Sequence, residues 1–174
     1  MKKVFCNIAL IGFLLPSVSV AQDNAAQQKL IKAGYLLSVE SVRLNTIRNE
    51  ISEISKKNIA LNEFNNPELY HITMLLENIF LIETICLYES LLLNALESME
   101  ERKKLEQYKL HYSRLKKDTL KRLYLNFKST QSNFAKIDDK EILILSDKVK
   151  KEMLKVLSLI EEVINILQRQ LPPA

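Results

Sequence analysis

From Glu68 to Leu171 the chain contains neither glycine nor proline, and this feature constrains its fold more than any other. A protein built from β-sheets needs turn residues, often with positive φ, about every ten positions. The shortage of glycine also excludes the GxGxxG and GxxxxGK loops that hold nucleotide phosphates. We therefore predict an all-α fold without a nucleotide site of those kinds.

The first 21 residues have the pattern of an export signal. Lys2 and Lys3 precede an apolar run from Val4 to Leu15, and Ser19-Val20-Ala21 resembles a cleavage site. The run is shorter than the about 20 residues that span a membrane, although an uncleaved anchor is the alternative. We expect cleavage after Ala21 and one mature domain of residues 22–174 without a transmembrane segment. Its location would be the periplasm or the outside of the cell.

Cleavage would also remove Cys6 and leave Cys86 as the only cysteine. No intrachain disulfide could then form, so helix packing alone would hold the fold. Cys86 lies in the most apolar stretch, where an unpaired cysteine behaves as a small buried hydrophobic residue. An intermolecular disulfide or a reactive thiol is the alternative.

Helical periodicity predicts the first and last helices most clearly. Helix one runs from about Asn24 to Lys57, and helix four runs from the capping box at 138–141 to just before Pro172. Gly34 and Ser41 lie on or beside the apolar stripe of helix one, so a neighbouring helix could approach closely there. The two apolar stripes are Leu30, Leu37, Leu44, Ile47, Ile51 and Ile54 in helix one, and Leu145, Val149, Val156, Ile160, Val163 and Leu167 in helix four.

Helix two begins at Asn66-Pro67-Glu68, which combines an N-cap, a proline in the first turn and an acidic residue. It is apolar nearly all round as far as Leu96, so it must be covered on every side. The interrupting glutamates, which are Glu77, Glu83 and Glu89, would each cost about 2.5–3.5 kcal/mol in a membrane. We interpret them as marking solvent gaps, and we predict self-association as a dimer through helix two.

Helix three spans about Met99 to Phe134. Its predicted apolar side consists of Leu105, Tyr108, Tyr112, Leu115, Thr119, Leu123 and Phe127. The join to helix two, near residue 100, has no glycine or proline and leaves two architectures open. A turn there gives an antiparallel up-down bundle of three to four long helices, which we favour. Continuous helix gives one very long central helix with helices one and four folded back on it.

Residues for metal binding or catalysis are few. Glu68 and His71 have the Glu-x-x-His spacing of ferritin-like bundles, but the chain has no second copy. It also lacks a Cys-x-x-Cys-His haem motif and a spaced cluster of serine, histidine and acid. We therefore expect no metal, no cofactor and no enzymatic activity.

Charge is unevenly distributed along the mature chain. Residues 22–101 carry 6 basic and 12 acidic side chains, a net charge of −6, and residues 102–174 carry 17 and 9, a net charge of +8. A basic ridge is predicted along helix three, formed by Lys103, Arg114, Lys117, Lys121 and Lys128. An anionic surface or an acidic protein is a more natural partner for it than nucleic acid outside the cytoplasm. The alternative is a solvated face, or one that pairs with Glu97, Glu100 and Glu101.

These features predict an exported helical bundle that acts through protein–protein contacts and not through catalysis. A cysteine-poor exported bundle of long helices is similar in outline to the minor pilus subunits of type IV secretion systems. The resemblance implies an accessory role in secretion and carries over no functional residue. A small-ligand receptor is the other alternative, and a cavity lined by Tyr35, Tyr88 or Tyr112 would favour it.

Overall fold

The computed structural model describes the backbone at residues 4–60, 66–95, 102–134 and 140–171, and side chains at 25–60, 69–95, 104–129 and 140–171. All regular structure in these ranges is helical. The helices are α1 (Val4–Ala60), α2 (Asn66–Asn94), α3 (Arg102–Arg114), α4 (Lys121–Phe134) and α5 (Lys140–Gln170). A π-helical turn, Leu115–Leu120, joins α3 to α4. The predicted all-α fold is confirmed.

The predicted helix limits agree with the structure at most ends. Helix two begins at Asn66 as predicted, whereas α1 begins well before the predicted start at Asn24. Residues 22–29 continue α1 because they are mostly alanine, glutamine and lysine, which favour helix. The proposed cleavage site after Ala21 lies inside α1, and cleavage stays a prediction.

The helices form an antiparallel up-down bundle. Along α1, Ser41 and Arg48 contact Glu83 of α2, and Arg43 approaches Glu152 of α5. The third long helix, made of α3, the π turn and α4, packs against both α2 and α5 and closes the bundle. In the described ranges no helix has a stretch long and apolar enough to cross a membrane.

The chain reverses direction between α2 and α3. Nε2 of His111 in α3 lies 2.9 Å from a carboxylate oxygen of Glu89 in α2. In one continuous helix these two residues would be about 33 Å apart. The alternative with a single very long central helix is therefore wrong.

The core is built from the predicted stripes. In α1 all members of the stripe are buried except Ile54, which is half-buried, and in α5 all six members are buried. Cys86 is buried in the core, as predicted. Burial raises the pKa of its thiol to about 12, helped by the negative charges of Glu40, Glu89 and Glu83, so the unreactive protonated form dominates.

The predicted close approach at Gly34 and Ser41 is confirmed. A Cβ atom added to Gly34 would lie 3.1 Å from the Cβ of Leu93 and 3.2 Å from the backbone oxygen of Ser90. The Ser41 hydroxyl donates a hydrogen bond of 3.1 Å to the backbone oxygen of Glu83. Small side chains at these two positions let the backbones of α1 and α2 come close together.

The π turn changes the register of the third helix. Buried Leu105 and Tyr112 are seven residues apart, and so are buried Leu120 and Phe127, but Tyr112 and Leu120 are eight apart. A π turn accommodates one extra residue without breaking the helix. Thr119, predicted on the apolar side, is therefore exposed, and Leu120 takes its place. The prediction for Thr119 is wrong because it assumed unbroken α-helical periodicity.

Removing the extra residue tests this interpretation. Deletion of exposed Asp118 moves Leu120 one position forward, so that it lies seven residues after Tyr112. An unbroken α-helix would then bury the same core residues without a π turn. We expect the melting temperature of this variant to match or exceed that of the parent. Each kcal/mol gained in the free energy of unfolding would raise it by about 2–4 °C.

Deletion of exposed Lys148 from α5 is the matched control. It rotates the following buried residues by about 100° away from the core, so it should abolish cooperative melting. Circular dichroism measures both variants. Equal damage from the two deletions would contradict the interpretation.

Candidate interaction surface

The outward side of α2 carries an apolar stripe. We call Phe80, Leu81, Thr84, Leu87, Tyr88 and Leu91 the outer face of α2. They lie within an arc of about 120° around the helix axis. The five large side chains are 47–61% exposed. Helical spacing places them on the side opposite Ile79, Ile82 and Cys86, which face the core.

The centre of the outer face is also effectively apolar. The Thr84 hydroxyl donates a hydrogen bond of 2.8 Å to the backbone oxygen of Phe80. This bond uses the one donor of the side chain within its own helix. The middle of the face is therefore occupied by a small side chain that has no unpaired donor.

Polar contacts border the outer face on the side of α1. The guanidinium carbon of Arg48 lies 5.6 Å from the centroid of the Phe80 ring. Nε of Arg48 donates to one carboxylate oxygen of Glu83 at 2.9 Å, and Nδ2 of Asn45 donates to the other at 2.8 Å. Glu83 therefore bonds α1 to α2, and the interpretation that it marks a solvent gap is wrong.

A buried carboxylate, Glu89, lies on the side of α2 that faces α3. Glu89 is 2% exposed, and both of its oxygens lie 2.9–3.0 Å from Nε2 of His111. An ionised carboxylate can only accept, so Nε2 donates. Burial and the charge of Glu89 raise the pKa of neighbouring Tyr112, whose hydroxyl stays protonated. Glu89 marks no solvent gap, whereas Glu77 is exposed.

The basic ridge lies elsewhere, on the third helix. Arg114, Lys117, Lys121 and Lys128 are exposed, and the side chain of Lys103 lies outside the described residues, as do the candidate partners at 97, 100 and 101. The extra residue of the π turn rotates Lys121 and Lys128 by about 100° from the line of Arg114. The ridge is therefore not straight, and its binding role stays a prediction.

A pair of carboxyl groups joins α1 to α5. Arg43 donates to Oε1 of Glu40 at 2.6 Å, and Lys155 donates to both oxygens of Glu152 at 2.7–2.8 Å. Oε2 of Glu40 is buried, and no donor among the described residues reaches it. A proton on Glu40 would let this oxygen donate to Glu152.

The two carboxyl groups have opposite shifts in pKa. Burial, a hydrogen bond with Glu152 and the negative charge of Glu152 raise the pKa of Glu40 to about 7, against the lowering effect of Lys155 and Arg43. Burial also acts to raise the pKa of Glu152, but hydrogen bonds from Glu40 and Lys155 and the charges of Lys155 and Arg43 lower it overall. Glu40 is therefore the group that holds the shared proton. Sequence periodicity missed this pair because the two residues lie in helices far apart along the chain.

The three tyrosines named for a ligand site do not line one cavity. Tyr112 is buried in the core, whereas Tyr35 and Tyr88 are 63% and 60% exposed. An open groove of about 680 Å³ lies between α1 and α5. Its lining residues are Thr46, Asn49, Glu50, Glu53, Ile54, Glu141, Ile144, Leu145 and Lys148.

In the part of the chain that the structure describes, no group of three or more histidine, cysteine, aspartate or glutamate residues is placed to hold a metal ion. The side chain of Glu68 in the Glu-x-x-His pair lies outside that part. No protein-family model, no curated protein and no solved structure matches the chain. Only the chain's own surfaces therefore bear on its function.

The carboxyl pair predicts an unusual dependence of stability on pH. The unfolded chain releases the Glu40 proton near the ordinary pKa of 4.5, whereas the folded chain keeps it up to about 7. The stabilisation from this proton is complete below pH 4.5 and is lost as the pH rises through 7. Glu40→Gln donates to Glu152 without a titrating proton, so its melting temperature should fall less over that range.

Melting temperatures followed by circular dichroism between about pH 5 and 8 test the prediction. Glu53→Gln is the matched control, because Glu53 is exposed on the same helix and bonds Lys56. It should keep the pH dependence of the parent chain. Equal slopes for the parent and Glu40→Gln would contradict the role of the shared proton.

Proposed function

We propose that this chain is an exported, non-enzymatic helical bundle that acts through protein–protein contacts in the cell envelope or outside the cell. The outer face of α2 is the contact surface. The proposal is supported by that exposed face, by the signal-like segment at 1–21 and by the sequence's lack of a spaced catalytic cluster.

The observation that carries the proposal is the difference between α2 and α5. Both helices bury one side in the same core. The outward side of α5 is rich in charge, with Lys148, Lys151, Lys155, Glu162 and Arg169 on the surface. The outer face of α2 has no charged residue. Single exposed apolar residues are common on any protein, but a continuous patch of five large ones is typical of an interaction site.

The alternative of a small-ligand receptor has less support. Any one of three tyrosines could have lined its site, but one of them is buried in the core and the other two are exposed on the surface. An accessory role in a type IV secretion system is one form of the proposed function, since such a subunit works by contact with other proteins.

Site-specific photo-crosslinking tests whether the outer face makes contacts in the cell. A photoreactive phenylalanine analogue replaces Tyr88, and the same analogue replaces Leu154 on α5 as the control, since that leucine is 46% exposed on another helix. We expect a discrete crosslinked product from position 88 and none from position 154. Mass spectrometry identifies the captured chain.

No product from position 88, or the same products from both positions, would contradict contact through this face. A crosslink to any protein, including a second copy, supports it. The identity of the product then separates self-association from binding to another protein.

Export has its own test. Mass spectrometry of the protein recovered from the cells that make it should find an N-terminus at Gln22, because small residues precede the predicted cleavage site. Ala21→Arg places a large charged residue there and should leave the chain uncleaved. An intact N-terminus on protein from the envelope and the medium would contradict cleavage after Ala21.

A further inference from the structure

We propose that the outer face of α2 binds the same face of a second copy, antiparallel, about a two-fold axis at Thr84. The inference rests on the proposed function and identifies its partner.

The arrangement of the outer face around Thr84 is nearly symmetric along the helix. Phe80 and Leu81 lie four and three residues before it, and Leu87 and Tyr88 lie three and four residues after it. In an antiparallel pair centred on Thr84, Phe80 therefore meets Tyr88 of the other copy, and Leu81 meets Leu87. A two-fold interface requires a surface that is complementary to itself, and this spacing provides one.

The centre of the face suits close contact between two helices. Thr84 is smaller than its four neighbours on the face, and its hydroxyl is bonded to the backbone of Phe80. A small residue at the axis lets two helices approach while the larger side chains pack on either side. Thr84 itself therefore adds no unpaired donor to the interface.

The area of the face is sufficient for a weak dimer. At their observed exposures the five large side chains present about 600 Å² per copy. Two copies would therefore bury at most about 1,200 Å², which is the lower limit for a specific interface. We expect dissociation at micromolar concentrations.

Charge favours the antiparallel arrangement over the parallel one. Glu77 is exposed and lies seven residues, or one heptad, before Thr84. Parallel pairing would bring Glu77 of the two copies together, and like charges side by side are unfavourable. Antiparallel pairing places them about 21 Å apart, each opposite the Leu91 end of the other helix.

Light scattering of the purified protein measures the oligomeric state. A concentration of about 100 µM is used, because a weak dimer of this area dissociates at lower concentrations. We expect a dimer for the parent chain and a monomer for both Leu87→Glu and Thr84→Arg. Leu154→Glu, with a similarly exposed leucine on α5, should remain dimeric. Circular dichroism confirms that each variant is folded. A monomeric parent, or equal dissociation by the α2 and α5 variants, overturns the proposal.

Engineered cysteines test the direction of pairing. Thr84→Cys lies at the axis and should form a disulfide-linked dimer on mild oxidation. Leu91→Cys should not, since antiparallel pairing separates the two copies of this residue by about 21 Å. The unsubstituted chain, in which Cys86 is buried, is the control. A crosslink at Leu91→Cys or none at Thr84→Cys overturns the antiparallel arrangement.

Failure of the dimer is distinguishable from failure of the proposed function. A monomeric parent whose position 88 crosslinks to another protein contradicts this inference but leaves contact through α2 intact. A monomeric parent with no crosslink at position 88 contradicts both.

Discussion

Four pairs of neighbouring helices in this bundle are joined by a carboxylate. Glu83 joins α2 to α1, Glu89 joins α2 to α3, Glu152 lies between α5 and α1, and Glu161 pairs with Lys116 of the π turn. Long helices that pack through regularly spaced apolar side chains could slide past one another by whole turns at little cost. A buried or half-buried polar contact removes this freedom, because a shifted register would leave its members unpaired.

These contacts determine register more than they add stability. Removing a carboxylate from water costs several kcal/mol, and its partner returns about the same amount, so the net gain from a buried pair is often close to zero. Glu89 is the extreme case, since it is almost fully buried and one histidine nitrogen lies 2.9–3.0 Å from both of its oxygens. The free energy of folding therefore comes mainly from the apolar stripes, and the carboxylates select one packing of them.

The sequence predicted what depends on local periodicity. The stripes of α1 and α5 and the cap at Asn66 were readable because helical spacing and capping involve residues close together in the chain. The π turn also had a signal, since eight residues separate Tyr112 from Leu120 where seven were expected. The prediction assumed a spacing of seven residues throughout, so it placed Thr119 in the core instead of Leu120.

The polar part of the site was not predictable in the same way. Glu83 and Glu89 look like interruptions in an apolar helix, because their partners Arg48 and His111 belong to other helices. The outer face of α2 was anticipated only as a helix that needed cover on all sides. Periodicity could not say which side the bundle would leave exposed, because α2 is apolar in every direction.

The carboxyl pair between α1 and α5 differs in kind from the other three contacts. With both groups ionised, Oε2 of Glu40 has no donor and faces a like charge. With both protonated, the charged bonds of Arg43 and Lys155 are lost. Only the state with one proton satisfies every group in this cluster, and opposite shifts in pKa of the two carboxyls widen the pH range of that state. The other contacts pair a carboxylate with a side chain that is itself a donor. A rise in pH through neutrality therefore acts directly on the contact between α1 and α5.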